Sequence, residues 1–287
     1  MTFNEFALAH EPAIRLGAFF GVFAVMALWE AASPRRERLC PRRVRWVANL
    51  GLVALDSVVL RLAFPMAAVA FAVLAAERGW GLLNAFALPG WAALVVAVVA
   101  LDLAIYLQHV MFHAVPALWR LHRVHHADPD YDVTTGARFH PIEAVLSMAI
   151  KLAVIAVLGA PAAAVLVFEV LLNATAMFNH ANLRLPPRVD RLLRSLVVTP
   201  DMHRVHHSIE VAEANSNFGF NLPWWDRLFG TYRAAARLPQ ERMSIGVKGL
   251  TGSERCVRLT GLLALPFVGA GADSAIGHVL EPTREAP

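Results

Sequence analysis

Residues 91–126 read WAALVVAVVALDLAIYLQHVMFHAVPALWRLHRVHH. The stretch from Trp91 to Phe112 is long and apolar enough for one helical crossing of a bilayer, which takes roughly 20 residues. Within it Asp102, Tyr106, His109 and His113 stand at offsets 0, 4, 7 and 11, along one stripe of the helix. Ionisable groups at such depth are costly and face a cavity or bundle interior with a partner, so the stripe reads as a ligand or substrate seam. Just beyond it His122, His125 and His126 stand at offsets 0, 3 and 4, on one face of a further helix. A polar seam on a spanning helix that runs straight into a histidine cluster points to a helical membrane protein with imidazoles gathered where its helices leave the bilayer.

The rest of the chain agrees with that reading. Its 287 residues are 57% hydrophobic and 17% charged, whereas soluble domains carry about 45–50% apolar and about 25% charged residues. This argues against a soluble domain. Further apolar runs cover Ile14 to Ala32 and about Val47 to Ala75, the latter holding Asp56 and Arg61. A longer run from Ile142 to about Phe178 is broken by Gly159 and Pro161 with no charged turn, as in a hairpin that enters and returns. The loop between the first two runs carries Arg35, Arg36, Arg38, Arg42, Arg43 and Arg45, which the positive-inside rule places in the cytoplasm. The N-terminus, which does not read as a cleaved signal peptide, then lies outside. The net charge of +4 is read as orientation, not as nucleic-acid affinity. Cys40 and Cys256 are too few for a disulfide framework or a thiolate site. The expected architecture is all-α and a single membrane domain over residues 1–287: about three spanning helices plus a re-entrant hairpin, with a cytoplasmic histidine-rich cap. The apolar segment from Arg258 to Ala272 is too short for a span and is expected in the interface.

Ten of the 12 histidines lie between His109 and His207. His203, His206 and His207 repeat the spacing of His122, His125 and His126 about eighty residues later, on a short helix that Pro200 starts and Thr199 or Asp201 caps. His180 falls where the hairpin returns to the same face, and His140, beside Pro141, is a possible tenth member. Low-complexity histidine tracts buffer metal without structure, but here the spacing is helical and repeated. One tetrahedral zinc takes four ligands, so nine imidazoles ask for two metals. Imidazole suits zinc, iron, copper and nickel alike, and spacing does not choose among them. Asp102, Asp128, Asp201 and Asn182 are the nearest candidates to hold the outer ring nitrogens.

The clusters His109/His113, His122/His125/His126 and His203/His206/His207 resemble those of the fatty acid hydroxylase and sterol desaturase superfamily of membrane di-iron oxygenases. RFHP at 138–141, NHAN at 179–182, TPDMHRVHHS at 199–208 and NFGFNLPWWDRLFGTY at 217–232 look like its bacterial sterol-desaturase-like branch. The resemblance spans roughly residues 91–232 and implies a catalytic region there. It implies two iron ions held by the nine histidines with His140 or water, zinc being possible on isolation, and O₂ as co-substrate. A lipid entering from the bilayer (a sterol, a fatty acyl or a related chain) would be hydroxylated or desaturated. In some relatives a histidine stands four residues before the position of His180; here that residue is Ala176, and His140, Asn179, Asn182 or water would fill the gap. No dinucleotide fingerprint, haem motif or ferredoxin cysteine set is visible, so the electrons are expected from a separate cytochrome b5-like or ferredoxin-like donor. Arg120, Arg123, Arg204 and Arg227 would offer it a basic face, or bind lipid phosphates. Residue usage leans to a bacterial inner membrane. Two rival classes remain: a zinc metallohydrolase, for which Glu143 and Glu169 form no HExxH-type pair, and a non-enzymatic metal-binding membrane protein.

Overall fold

A computed structural model describes residues 3–86 and 88–268, and every regular element among them is helical. In chain order these are α1 (Phe3–Ala9), α2 (Glu11–Ala32), α3 (Arg42–Ala63), α4 (Ala68–Glu77), α5 (Leu82–Ala85), α6 (Gly90–Ala114), α7 (Pro116–His126), α8 (Pro141–Leu158), α9 (Ala162–Asn179), α10 (Pro187–Leu193), α11 (Pro200–His206), α12 (Val211–Ala214), α13 (Trp224–Leu228) and α14 (Leu259–Ala264).

Five segments are long and apolar enough to cross a membrane: α2, the stretch Arg42–Ala85, α6, α8 and α9. Their outer surfaces carry Leu16, Phe20, Leu28, Leu62, Val95 and Val157, all exposed. Such a belt suits a hydrocarbon solvent and would be a liability in water. The second apolar run is not one helix: Pro65 follows the end of α3, and α4 resumes three residues later. Proline removes a backbone donor and disfavours helix in the residue before it.

The bundle has two distinct ends. At one, Glu30 near the end of α2 accepts from the backbone N–H groups of Val133 and Asn182, both at 3.1 Å, and Arg45 near the start of α3 clasps Asp128 at 2.7 Å. The loop after α2 pairs there with residues 182–184. This end carries α7, α10 to α14 and every clustered histidine. At the other end the α8–α9 turn meets the loop between α4 and α5. Gly81 and Gly159 both have positive φ and pack so closely that a Cβ on Gly81 would fall 2.1 Å from the Gly159 nitrogen. Each hairpin arm has 18 residues, about 27 Å of helix, so the hairpin runs the length of the bundle.

Helix α9 is central, packed on α1, α2, α4 and α6. Its Ala162, Ala163, Ala164 and Phe168 join Ala68, Ala72, Ala97 and Ile155 in one core, and small residues let helices approach closely inside a bilayer. A second cluster lies in the cap, where Leu262 and Leu265 pack with Ala48, Leu52 and Val124. The described part of the Arg258–Ala272 segment is therefore docked on α3 and α7, and residues 269–272 lie outside the described residues.

Candidate metal centre

Helix α6 ends at Ala114, Pro116 opens α7 directly, and the two helices pack on each other. That reversal carries His122, His125 and His126 back over His109 and His113. From the opposite side α9 delivers His180 at its C-terminal cap and α11 delivers His203, His206 and His207. Nine rings meet, each at most 3% exposed.

They fall into two groups whose nitrogens lie within 4.8 Å of one another: His109, His113, His122, His126 and His206, and His125, His180, His203 and His207. The two repeated clusters divide in opposite ways. His122 and His126, four apart, enter the first group and His125 the second; His203 and His207, four apart, enter the second and His206 the first. The pair His109/His113 on α6 completes the first group. Its counterpart on α9 would be residues 176 and 180, where only His180 is a histidine and residue 176 is Ala176, so the second group has four members to the first group's five.

The donor chemistry can be tested on hydrogen bonds. The Nδ1 atoms of His109, His206 and His180 donate to the carbonyls of Phe218, Ser216 and Ala176 at 2.7, 2.8 and 2.8 Å. A carbonyl only accepts, so these rings carry their proton on Nδ1 and leave Nε2 as a lone pair. Yet Nε2 of His109 and His206 lie 3.0 Å apart, and Nε2 of His180 faces those of His125 and His207 at 3.1 and 3.2 Å. The facing lone pairs of His109 and His206 repel unless a cation lies between them, and 3.0–3.2 Å is a spacing that adjacent nitrogen ligands adopt on an ion at about 2.1 Å. His203 is fully buried with both ring nitrogens unpartnered, a costly state for a group with no ligand.

Protonation would undo this arrangement. Burial pushes the imidazoles of His122 and His180 down to about 3. Burial and the neighbouring rings hold His125, His126, His203, His206 and His207 well below the ordinary value. The neutral form, which binds metal, is favoured throughout.

The residues holding these rings differ from the four expected. Asp102 accepts from Trp225 Nε1 at 2.8 Å and Leu222 N at 3.3 Å. Asp128 is held by Arg45, and Asn182 takes the backbone of Arg36. Asp201 pairs with Arg35 and Arg204. None of the four has a bond to a clustered ring; each is occupied by an arginine or a backbone group that folding brings closer. Glu143 takes that role instead, its Oε1 accepting from His122 Nδ1 at 2.6 Å. The sequence signal for it was a carboxylate in the first turn of a mostly apolar helix.

Asp102 and Tyr106 anchor the 217–232 segment to α6, Tyr106 through Thr231 at 2.8 Å. Asp226 accepts from the N–H groups of Phe218 and Gly219 at 2.8 and 2.9 Å. The segment thereby aims the Phe218 carbonyl at His109.

His140 stands outside both groups. Its Nδ1 accepts from Ile142 N, capping α8, and its Nε2 donates to Leu263 O at 3.3 Å. Thr199 gives its hydroxyl to Asp190 at 2.6 Å, and neither it nor Asp201 forms a side-chain cap on α11. Of the four arginines expected to form a basic face, Arg123 and Arg204 are buried and bonded within the cap, which leaves Arg120 and Arg227 nearer the surface.

Beside the first group lies a cavity of about 270 Å³ that opens on His109 and His122 and is bounded by α3, α6, α8 and α9, with Ala176 on its wall.

Fold and site together define a class: an all-helical integral membrane protein with two adjoining histidine groups fit to hold metal. Residues 94–231 match the fatty acid hydroxylase family, and this part of the chain belongs to the fatty acid hydroxylase/sterol desaturase superfamily. The chain is 31% identical over 183 residues to an ornithine lipid hydroxylase, OlsE, of Rhizobium tropici, covering 64% of this chain and 53% of the relative. It is 30% identical to alkylglycerol monooxygenase of Xenopus tropicalis over 46% of this chain and 28% of the relative. The human alkylglycerol monooxygenase is 29% identical over 48% and 30%. The chain thus spans about half the length of the first relative and under a third of the others. No solved structure gives a significant match.

Proposed function

We propose that the protein is a membrane-bound di-iron oxygenase that hydroxylates a lipid, with residues 91–232 as its catalytic region. The observation that carries the reading is the pair of Nε2 lone pairs of His109 and His206 facing each other at 3.0 Å, within two adjoining groups of buried imidazoles. His109, His113, His122, His126 and His206 would hold one ion; His125, His180, His203 and His207 would hold the other. Two irons, when bound, supply the redox chemistry that puts one oxygen atom of O₂ into an unactivated C–H bond and releases the other as water, using two electrons and two protons. Hydroxylation is favoured over desaturation because the relatives are named a hydroxylase and monooxygenases of lipids.

The chain's own part is to hold nine imidazoles neutral and fixed, and to exclude water by burial. Glu143 and the carbonyls of Phe218, Ser216 and Ala176 orient the rings from outside. The cavity wall formed by α3, α6, α8 and α9 admits the substrate beside His109 and His122. The electrons come from a separate donor, of a cytochrome b5 or ferredoxin kind. Six arginines between Arg35 and Arg45 favour a cytoplasmic cap, in a bacterial inner membrane.

The test is metal analysis of the purified protein joined to anaerobic reduction and exposure to O₂ with lipid. Two irons per chain and O₂-dependent hydroxylation are expected. Tightly bound zinc with O₂-independent hydrolysis would replace this reading by the metallohydrolase.

A further inference from the structure

The cavity beside His109 and His122 is small, with polar groups set among apolar walls such as Leu60, Phe112 and Leu172. A volume of about 270 Å³ lies just under the range of roughly 300–1,000 Å³ typical of small-molecule sites; since ~150 Å³ accommodates benzene, it has room for about ten heavy atoms but not for a whole lipid tail. Asp56, Gln108, Glu143, Ser147, Lys151 and Asn173 line it. A methylene chain there would strand these groups without partners.

Their unmet capacity has one sign. Asp56 Oδ1, Gln108 Oε1 and Glu143 Oε2 are buried acceptor oxygens without a hydrogen-bond partner. Gln108 gives its amide N–H to Ser147 at 2.9 Å, and Glu143 spends its other oxygen on His122. Lys151, the cation on the wall, is engaged by Glu169 at 2.7 Å, and Arg15 holds that carboxylate from its other side at 2.7 Å. Asp56 has no ion pair among the described residues, and the charge acting most on it is Glu143, another carboxylate. It sits 14 residues into α3, about 21 Å of helix from the cap end. A carboxylate at that depth calls for a cationic partner.

We infer that Asp56, with Gln108 Oε1 and Glu143 Oε2, forms an acceptor subsite for the ammonium group of a lipid substrate. The inference rests on the lipid oxygenase reading and narrows it: the substrate enters by an amine-bearing polar end, and the oxidised carbon lies near that end, with the tail left in the bilayer.

The test is equilibrium binding of three probes with one alkyl chain, ending in a primary amine, its N-acetyl derivative and an alcohol, to the full-length metal-loaded protein in nanodiscs. The wild type should prefer the amine. Asp56→Asn, close in shape and relieved of an unpartnered charge, should lose about tenfold to a hundredfold in amine affinity, the scale of one charge-assisted hydrogen bond. It should bind the other two probes as before, which also reports that it is folded, and Asp56→Glu should keep the preference for the amine. A wild type that binds the acetylated probe or the alcohol as tightly as the amine, or an Asp56→Asn protein with undiminished amine affinity, overturns the inference. Amine-selective binding lost in Asp56→Asn, with no lipid oxidised under O₂, would retain the subsite and sink the oxygenase reading instead.

Discussion

Glu143 shows how much a single side chain contributes to the site. His122 has its Nδ1–H on Glu143 Oε1 at 2.6 Å, while its Nε2 is buried and free for metal. Removing the carboxylate leaves that ring unheld and its N–H unpaired. Glu143→Ala should therefore lower metal affinity by about tenfold to a hundredfold, as loss of an outer-shell partner does, read as metal retained after dialysis against graded chelator. Retention equal to wild type would mean that packing alone fixes His122. The nine rings were legible in the sequence because helical spacing is a property of sequence. Their supports were not, since three are backbone carbonyls that any residue could supply, and Asp102, Asp128, Asn182 and Asp201 are taken by partners distant in the chain. Ala176 lies between these cases. The sequence marked it as a departure, and in the fold it lies on the wall of the cavity, while the second group has four members to the first group's five.

Among the elements, the contact between α9 and the short turn Thr135–Ala137 sets the position of His180. A Cβ on Gly136 would come 2.5 Å from the Ala176 carbonyl oxygen and 3.2 Å from His180 Nδ1. That carbonyl already accepts from His180, so the backbone of α9 has to shift and take the ring with it. Gly136→Ala should cost about 1–3 kcal/mol by overpacking, at about 2–4 °C of Tm per kcal/mol. It should also release metal from the second group first, as seen by titration with a chromophoric chelator. An unchanged Tm and metal content would show that the turn can move away. Spanning segments were readable because apolar length declares itself, and the hairpin because Gly159 and Pro161 interrupt it. Its full depth was not, because the turn is fixed by Gly81, far away in sequence.

For the whole molecule, charge and fold give one orientation. Cap loops hold Arg35, Arg36, Arg38 and the network of Arg45, Asp128 and Asp132, whereas the loop after α4 brings Arg78 alone before α6. Arg36 donates to the Gln240 and Met243 carbonyls, and the Arg237 N–H donates to Glu213, so the loop after α2 and the 230s belong to the same end. Gly79 belongs to the other, beside the Gly81–Gly159 contact. With arginine-rich loops retained in the cytoplasm, single cysteines at positions 38 and 237, in a Cys40→Ser background, should react with an impermeant maleimide only in inverted vesicles. A cysteine at position 79 should react only in right-side-out ones. Cys256 is buried, at 1% exposure, and should stay silent. If positions 38 and 237 label from opposite sides, the five segments do not all cross. If all three reverse together, the bundle stands but its cap faces outward, and the electron donor would have to be sought on that side.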